Sequence, residues 1–292
     1  MLGVLVLSAC SSQGFLNATT PDSGYGLSQN VVFDDSTGLK LDIYSPQNAG
    51  NAPVVVFFFG ARWEEGDKEE YKFVGQALAA RGFVTVIPNY RFYPQVHYRE
   101  ILLDCAKAVV WTHSHIGSYG GSPGRIVVMG HSAGAYNASM LALDPEFMKQ
   151  AGGNRLWIRG LIGLAGPYNF LPITDPDLRD LFGPPESFES SQPVFHVDGG
   201  APPILLMHGG KDETVDVQNT NELYDRIKRA NGSVEKVLYP DLDHKWIIAD
   251  VATRLQGQAD VADKIDDFVK RVTVGNPPQA QQPSSIQTFV PK

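Results

Sequence analysis

Arg125-Ile126-Val127-Val128-Met129-Gly130-His131-Ser132-Ala133-Gly134 decides the reading of this chain. Five residues with β-strand character run into a GxSxG pentapeptide, and the small, helix-tolerant residues Ala133, Gly134, Ala135 and Asn137 to Leu141 follow. The pattern predicts a strand, a tight turn and a helix, the nucleophile elbow, with Ser132 on the tip. The turn needs a strained backbone at its central residue. The glycines two before and two after keep Cβ atoms from colliding as strand and helix cross.

Outward from that stretch, strands and helices alternate. Val31 to Phe33 and Leu39 to Tyr44, separated by Asp34-Asp35-Ser36-Thr37-Gly38, read as an antiparallel hairpin at the edge of a sheet. Val54 to Phe59 is a continuous apolar run, as expected of a strand buried on both faces. A helix through Phe73, Val74, Ala77 and Leu78 should end at Gly82, and Phe83 to Ile87 should be the next strand. A helix follows over about 98–115. After the elbow come strands at 158–164 and 204–207, a helix through Leu223, Tyr224 and Ile227, a strand at 234–239 and a last helix over about 246–272. This alternation predicts an α/β fold: a mostly parallel central sheet with an antiparallel amino-terminal edge hairpin and helices on both faces. Ligands of such sheets bind at the carboxyl ends of the strands.

The chain has 292 residues, of which 43% are hydrophobic, enough for a large core in one big domain or two small ones. A net charge of -8 argues against nucleic acid or an anionic membrane as a partner held by charge. The expected organisation is a truncated leader at 1–10, a linker at 11–26 and one domain over 27–274. Its small cap lies at about 165–200, a stretch rich in Pro and Gly between two strands, and a low-complexity, disordered tail covers 275–292.

Leu7-Ser8-Ala9-Cys10 resembles the lipobox of bacterial lipoproteins, in which the cysteine is lipidated. The apolar run before it is too short to span a bilayer, and it lacks a positive n-region, since the first Lys or Arg is Lys40. Either translation starts upstream of Met1 or the resemblance is accidental. Processing of Cys10 would give a cell-envelope protein anchored to the outer membrane, and no processing a cytoplasmic one. Cys105, the other cysteine, sits on an apolar helical face and reads as core.

A serine hydroxyl needs a neighbouring base, and the base needs an orienting group. Asp212 follows the strand ending near Met207, and His244 follows the strand at 234–239, so both fall at the carboxyl edge. The order Ser132, Asp212, His244 is that of the triad in hydrolases of this strand-turn-helix type. Asp216 reads as a helix cap, Asp241 and Asp243 as solvent-facing, His208 as structural and His131 as a variable elbow position. No Cys or His cluster has zinc spacing, so neither metal nor cofactor is expected. Oxyanion donors should be the N–H of Ala133 and those of the loop after the 54–59 strand, Phe59-Gly60-Ala61-Arg62-Trp63.

Phe59 to Trp63 aligns with an HGGxW loop, Gly130 to Gly134 reads GHSAG, and His208 to Val215 reads HGxxDxxV. With Tyr90-Arg91-Phe92-Tyr93-Pro94, the chain resembles small carboxylesterases of the hormone-sensitive-lipase and arylformamidase-like branch of the α/β hydrolases, over roughly residues 28–272. The resemblance implies a serine esterase for small-molecule, short-chain acyl esters. Ala61 and Arg62 supply its loop donors, and Trp63 and Tyr136 line its pocket. An arylformamidase-like amidase is the alternative, and a catalytically inactive fold used for binding a further one. The chain departs from the family pattern where Phe59 replaces His and Ala61 replaces Gly. A positive φ at Ala61 would cost roughly 1 to 2 kcal/mol. Arg62 could be solvated, pair with Glu64 or Glu65, or meet an acidic substrate group.

Overall fold

The apolar runs become neighbouring strands because each is buried on both faces and can only hydrogen-bond sideways. The structure is a computed structural model and describes residues 12–253, 255 and 259–274. In chain order the elements are α1 (Ser12–Thr19), β1 (Tyr25–Asp34), β2 (Leu39–Pro46), β3 (Ala52–Phe58), α2 (Lys72–Ala80), β4 (Val84–Pro88), α3 (Tyr98–His115), β5 (Gly121–His131) and α4 (Ala133–Leu143). They continue with α5 (Pro145–Gln150), β6 (Ile158–Leu164), α6 (Pro176–Phe182), β7 (Ile204–Gly209), α7 (Gln218–Arg229), β8 (Val234–Tyr239), α8 (Trp246–Ala249) and α9 (Val261–Thr273).

Eight strands form one sheet in the order β1-β2-β4-β3-β5-β6-β7-β8. The hairpin β1/β2 is antiparallel and β2 joins β4 antiparallel, whereas every pairing from β4 to β8 is parallel. The expected architecture is the one observed. Helix α2 ends as the sequence predicts: Gly82 has φ 92°, and the N–H groups of Gly82 and Phe83 return to Ala79 O and Leu78 O, closing a Schellman motif. Arg81 then ties α2 to α9 through Asp263 at 2.7 Å, while α3 packs on α4.

Two expectations need correction. Residues 11–26, expected as a linker, contain α1 and the start of β1. Leu16 is buried, and the Asn17 amide donates to Glu69 O and accepts from Phe73 N–H, so tertiary contacts order a polar stretch. The last helix is not continuous from 246 to 272. The Asp250 carboxylate accepts from the N–H groups of Ala259 and Val261, so the chain folds back on itself between α8 and α9. Residues 1–11, with Cys10, and the tail 275–292 lie outside the described residues. Cys105 is fully buried within α3, as expected.

Parallel pairing brings the carboxyl ends of β3, β5, β6, β7 and β8 to one edge. There Phe58 pairs with Gly130, His131 with Leu164, and Gly209 with Tyr239. Residues 165–200 leave the sheet after β6 and rejoin it before β7.

Candidate active site

Ser132 has φ 56° and ψ -125° and stands between β5 and α4. Its N–H donates to Leu164 O at 2.9 Å, pinning the turn to the neighbouring strand. The flanking glycines are obligatory in this geometry. A Cβ on Gly130 would lie 2.1 Å from Gly134 O, and one on Gly134 would lie 2.0 Å from Phe58 O. Gly60 of the loop after β3 also passes close, since a Cβ there would sit 2.8 Å from Ser132 Cβ.

The sheet edge brings Ser132, Asp212 and His244 together from three separate loops. Ser132 Oγ lies 2.9 Å from His244 Nε2, and His244 Nδ1–H donates to Asp212 Oδ2 at 2.8 Å. The other carboxylate oxygen, Oδ1, accepts from the N–H groups of Thr214 and Val215, both at 2.9 Å. Burial opposes the charge on Asp212. The hydrogen bonds from His208, His244 and the Val215 N–H prevail and hold its carboxyl well below the usual carboxylate range. Asp212 is therefore ionised throughout the neutral range. Asp216 caps the start of α7 through the Gln218 N–H, and Asp241 pairs with Lys211, so neither competes for the imidazole.

Two histidines read as bystanders belong to this arrangement. His131 Nε2–H donates to His244 O at 2.8 Å, tying the elbow to the backbone of the histidine loop. Burial, reinforced by the neighbouring His244, lowers its pKa to about 3, so it donates as a neutral ring. His208 contacts Asp212 itself, with Nε2 3.1 Å from Oδ2. A pointer existed in the sequence, because His208 ends the strand that presents Asp212. No periodicity or spacing shows where an imidazole nitrogen points.

Three consecutive residues with side chains, Ala61, Arg62 and Trp63, have positive φ of 88°, 54° and 65°. Phe59, where the family pattern has His, is fully buried and stacks on Tyr71 and Tyr90 at centroid distances of 5.4 and 4.8 Å. Its carbonyl accepts from the Tyr90 hydroxyl at 2.8 Å, and Tyr93 N–H holds Trp63 O at 2.9 Å. The loop is fixed from behind, which is how the strain persists. Ala61→Gly should relieve roughly 1 to 2 kcal/mol of strain, partly offset by about 0.4 to 1 kcal/mol of added unfolded-state entropy. The expected net is a rise in Tm of up to about 3 °C. A calorimetric Tm that falls would show that the loop stores no such strain.

A cavity of about 520 Å³ opens beside Ser132. Its apolar wall comprises Trp63, Phe170, Leu171 and Leu178, and Asn169, Asp216, Asn219 and Glu222 contribute polar surface. Trp63 lines it as expected, its Nε1–H fixed on Asn137 Oδ1 at 2.9 Å. Tyr136 does not. It lies fully buried behind Trp63, ring edge to face at 5.2 Å, with its hydroxyl donated to Ser191 O, because an aromatic on the first turn of α4 points into the base of the 165–200 segment. Arg62 is half exposed and pairs with Glu64 at 3.2 Å and with Asp175 of the 165–200 segment at 3.3 Å.

Comparison with known proteins agrees with the fold and the motifs. The chain is 30% identical over 238 residues to the isoprenylcysteine alpha-carbonyl methylesterase ICME of Arabidopsis thaliana, covering 74% of this chain and 56% of that one. It is 29% identical to the probable carboxylic ester hydrolase LipM of Mycobacterium tuberculosis, over 66% of this chain and 48% of that one. The chain thus spans about half the length of the curated relatives it matches. Among solved structures, the apo form of Thermogutta terrifontis esterase 2 superposes with a TM-score of 0.72 at 22% identity, over 87% of this chain and 97% of that one. That likeness shows the α/β-hydrolase fold. The BD-FAE sequence family matches residues 41–227, from β2 through most of α7 and including the elbow, and the chain belongs to that family.

Proposed function

We propose that this chain is a serine carboxylic-ester hydrolase acting on short-chain acyl esters through an acyl-enzyme intermediate. The observation that carries the reading is the continuous relay from Ser132 Oγ through His244 to Asp212 Oδ2, at 2.9 and 2.8 Å, on a turn that holds the serine strained and partly exposed. Ser132 Oγ attacks the ester carbonyl as His244 Nε2 takes its proton. His244 returns that proton to the leaving alkoxide, and the acyl group stays on Oγ. Water, deprotonated by the same nitrogen, then attacks the acyl-enzyme, and His244 passes that proton to Ser132 Oγ as the acid leaves. Asp212 keeps Nδ1 protonated and stabilises the imidazolium.

The oxyanion falls to the N–H of Ala133, at the start of α4, and to those of Ala61 and Arg62. Among the described residues no acceptor takes the N–H of Ala61 or Arg62. Each such donor typically contributes about 3 kcal/mol to the transition state. The relatives are named for ester hydrolysis, which supports the same reading.

Acyl-chain length is the sharpest test. Trp63, Phe170, Leu171 and Leu178 form the apolar side of the cavity, and the short-chain reading takes them as the wall that limits acyl length. An open groove would add about 0.8 kcal/mol per methylene. For p-nitrophenyl esters, kcat/KM should peak at acetate to butyrate and drop tenfold or more by laurate. A rate that climbs with chain length would sink the short-chain assignment. Background rates throughout, with turnover of formylkynurenine, would move the enzyme to the amidase class. A cell-envelope location through a lipid on Cys10 is proposed on Leu7-Ser8-Ala9-Cys10 alone.

A further inference from the structure

His208 lies near the end of β7 with its side chain wholly buried. Its Nε2 is 2.9 Å from Val215 O and 3.1 Å from Asp212 Oδ2, and its Nδ1 is 2.7 Å from Thr220 Oγ1. Two acceptors face Nε2, so that nitrogen carries the hydrogen, directed at Val215 O with Asp212 Oδ2 beside it. The Thr220 hydroxyl then donates to Nδ1, and a neutral ring satisfies every contact. Oδ2 of Asp212 also receives His244 Nδ1–H at 2.8 Å, while Oδ1 is occupied by two backbone N–H groups. A single carboxylate oxygen therefore serves two imidazoles.

We propose that His208 is a positioning residue for the hydrolysis: it shares Oδ2 of Asp212 with His244 and so limits how much of that oxygen's charge reaches the base. The proposal rests on the hydrolase reading for the role of His244, but the contact stands independently of it. The groups facing His244 are Ser132, Asp212 and the neutral His131. Those facing Asp212 are His208, His244 and the N–H groups of Thr214 and Val215. Among the described residues no Lys or Arg pairs with Asp212, so His208 is the one side chain besides His244 that can modulate it.

The sign follows. Without the His208 donor, more of the charge on Oδ2 faces His244 Nδ1–H, the imidazolium is favoured over the imidazole, and His244 holds its proton to higher pH. The acid limb of kcat/KM, where activity falls because the base is protonated, moves upward with it. A residue that merely fills space would lower the rate at every pH and leave the limb in place.

The experiment is an NMR titration of the ring nitrogens in histidine-labelled protein, with His244→Asn assigning the signal and a pH–rate profile on p-nitrophenyl acetate run in parallel. His208→Phe should raise the His244 midpoint by about 0.5 to 1 pH unit. His208→Gln, whose amide N–H can reach where Nε2 stood, should recover at least half of that shift. Thr220→Val, which frees Nδ1 but keeps the ring, should move the midpoint the same way by less. An unmoved or lowered midpoint in a folded His208→Phe variant overturns the proposal. Should that variant not fold, an unmoved midpoint in Thr220→Val does so. The ring titration needs no substrate, so an inert wild type would count against the hydrolase reading while the midpoint shift still decides the role of His208.

Discussion

Ser132→Ala is expected to lower kcat on p-nitrophenyl butyrate by at least roughly 10⁴-fold. The substitution deletes Oγ and nothing else, so His244 has no proton to take and no acyl-enzyme forms. What survives is binding and the oxyanion donors, which alone keep some catalysis over water. Folding should be unaffected, because alanine occupies the same turn and the glycines that permit it are untouched. Covalent labelling gives a second readout. Paraoxon should add one diethylphosphoryl group to the wild type by mass spectrometry and none to the variant. Equal hydrolysis rates in the two proteins would remove Ser132 from the chemistry and the ester-hydrolase reading with it.

The second large effect concerns the scaffold. Gly134→Ala is expected to prevent accumulation of folded protein, with a loss above roughly 4 kcal/mol. The added Cβ would sit 2.0 Å from Phe58 O and 2.4 Å from Phe59 O, both main-chain atoms at the end of β3 and the start of the loop that follows it. Neither can rotate away, so relief requires α4 to separate from β3, which breaks the core packing of both. Gly124→Ala is the control: it lies in β5, and a Cβ there meets nothing within 4 Å. Soluble yield and thermal melts should separate the two variants cleanly. A Gly134→Ala protein that melts within a few degrees of wild type would mean that strand and helix do not cross this tightly.

The contrast between these glycines explains how much of the molecule could be read from its sequence. The elbow, the three residues of the relay and the edge hairpin are local patterns whose chemistry tolerates few alternatives, and each is found where it was expected. Helix α1 was not legible, because Leu16 and Asn17 are ordered by residues more than fifty positions away. The gap between α8 and α9 depends on a single carboxylate, Asp250, returning to two distant N–H groups. Tyr136 was misplaced for a related reason. The elbow fixes its position on α4, but the direction of its ring depends on Trp63, Phe170 and Phe182 arriving from elsewhere. The roles of His131 and His208 escaped for want of geometry, since both contacts are made by ring nitrogens, one reaching the His244 loop and one turning back within the connection that follows β7.

The segment between β6 and β7 has a consequence for how such a protein can diversify. It departs from and returns to adjacent parallel strands that are already stitched together, with Ala165 N–H on Met207 O at 2.9 Å, and it supplies Phe170, Leu171 and Leu178 to the cavity but none of the relay. The relay and this part of the cavity wall are thus written on separate lengths of chain, with Trp63, Asn219 and Glu222 completing the lining from elsewhere. Under the proposed function, substitutions at Phe170, Leu171 or Leu178 would alter which ester groups fit while Ser132, Asp212 and His244 keep their places. Selection, or a protein engineer, has in that stretch a variable module on a constant chemical chassis.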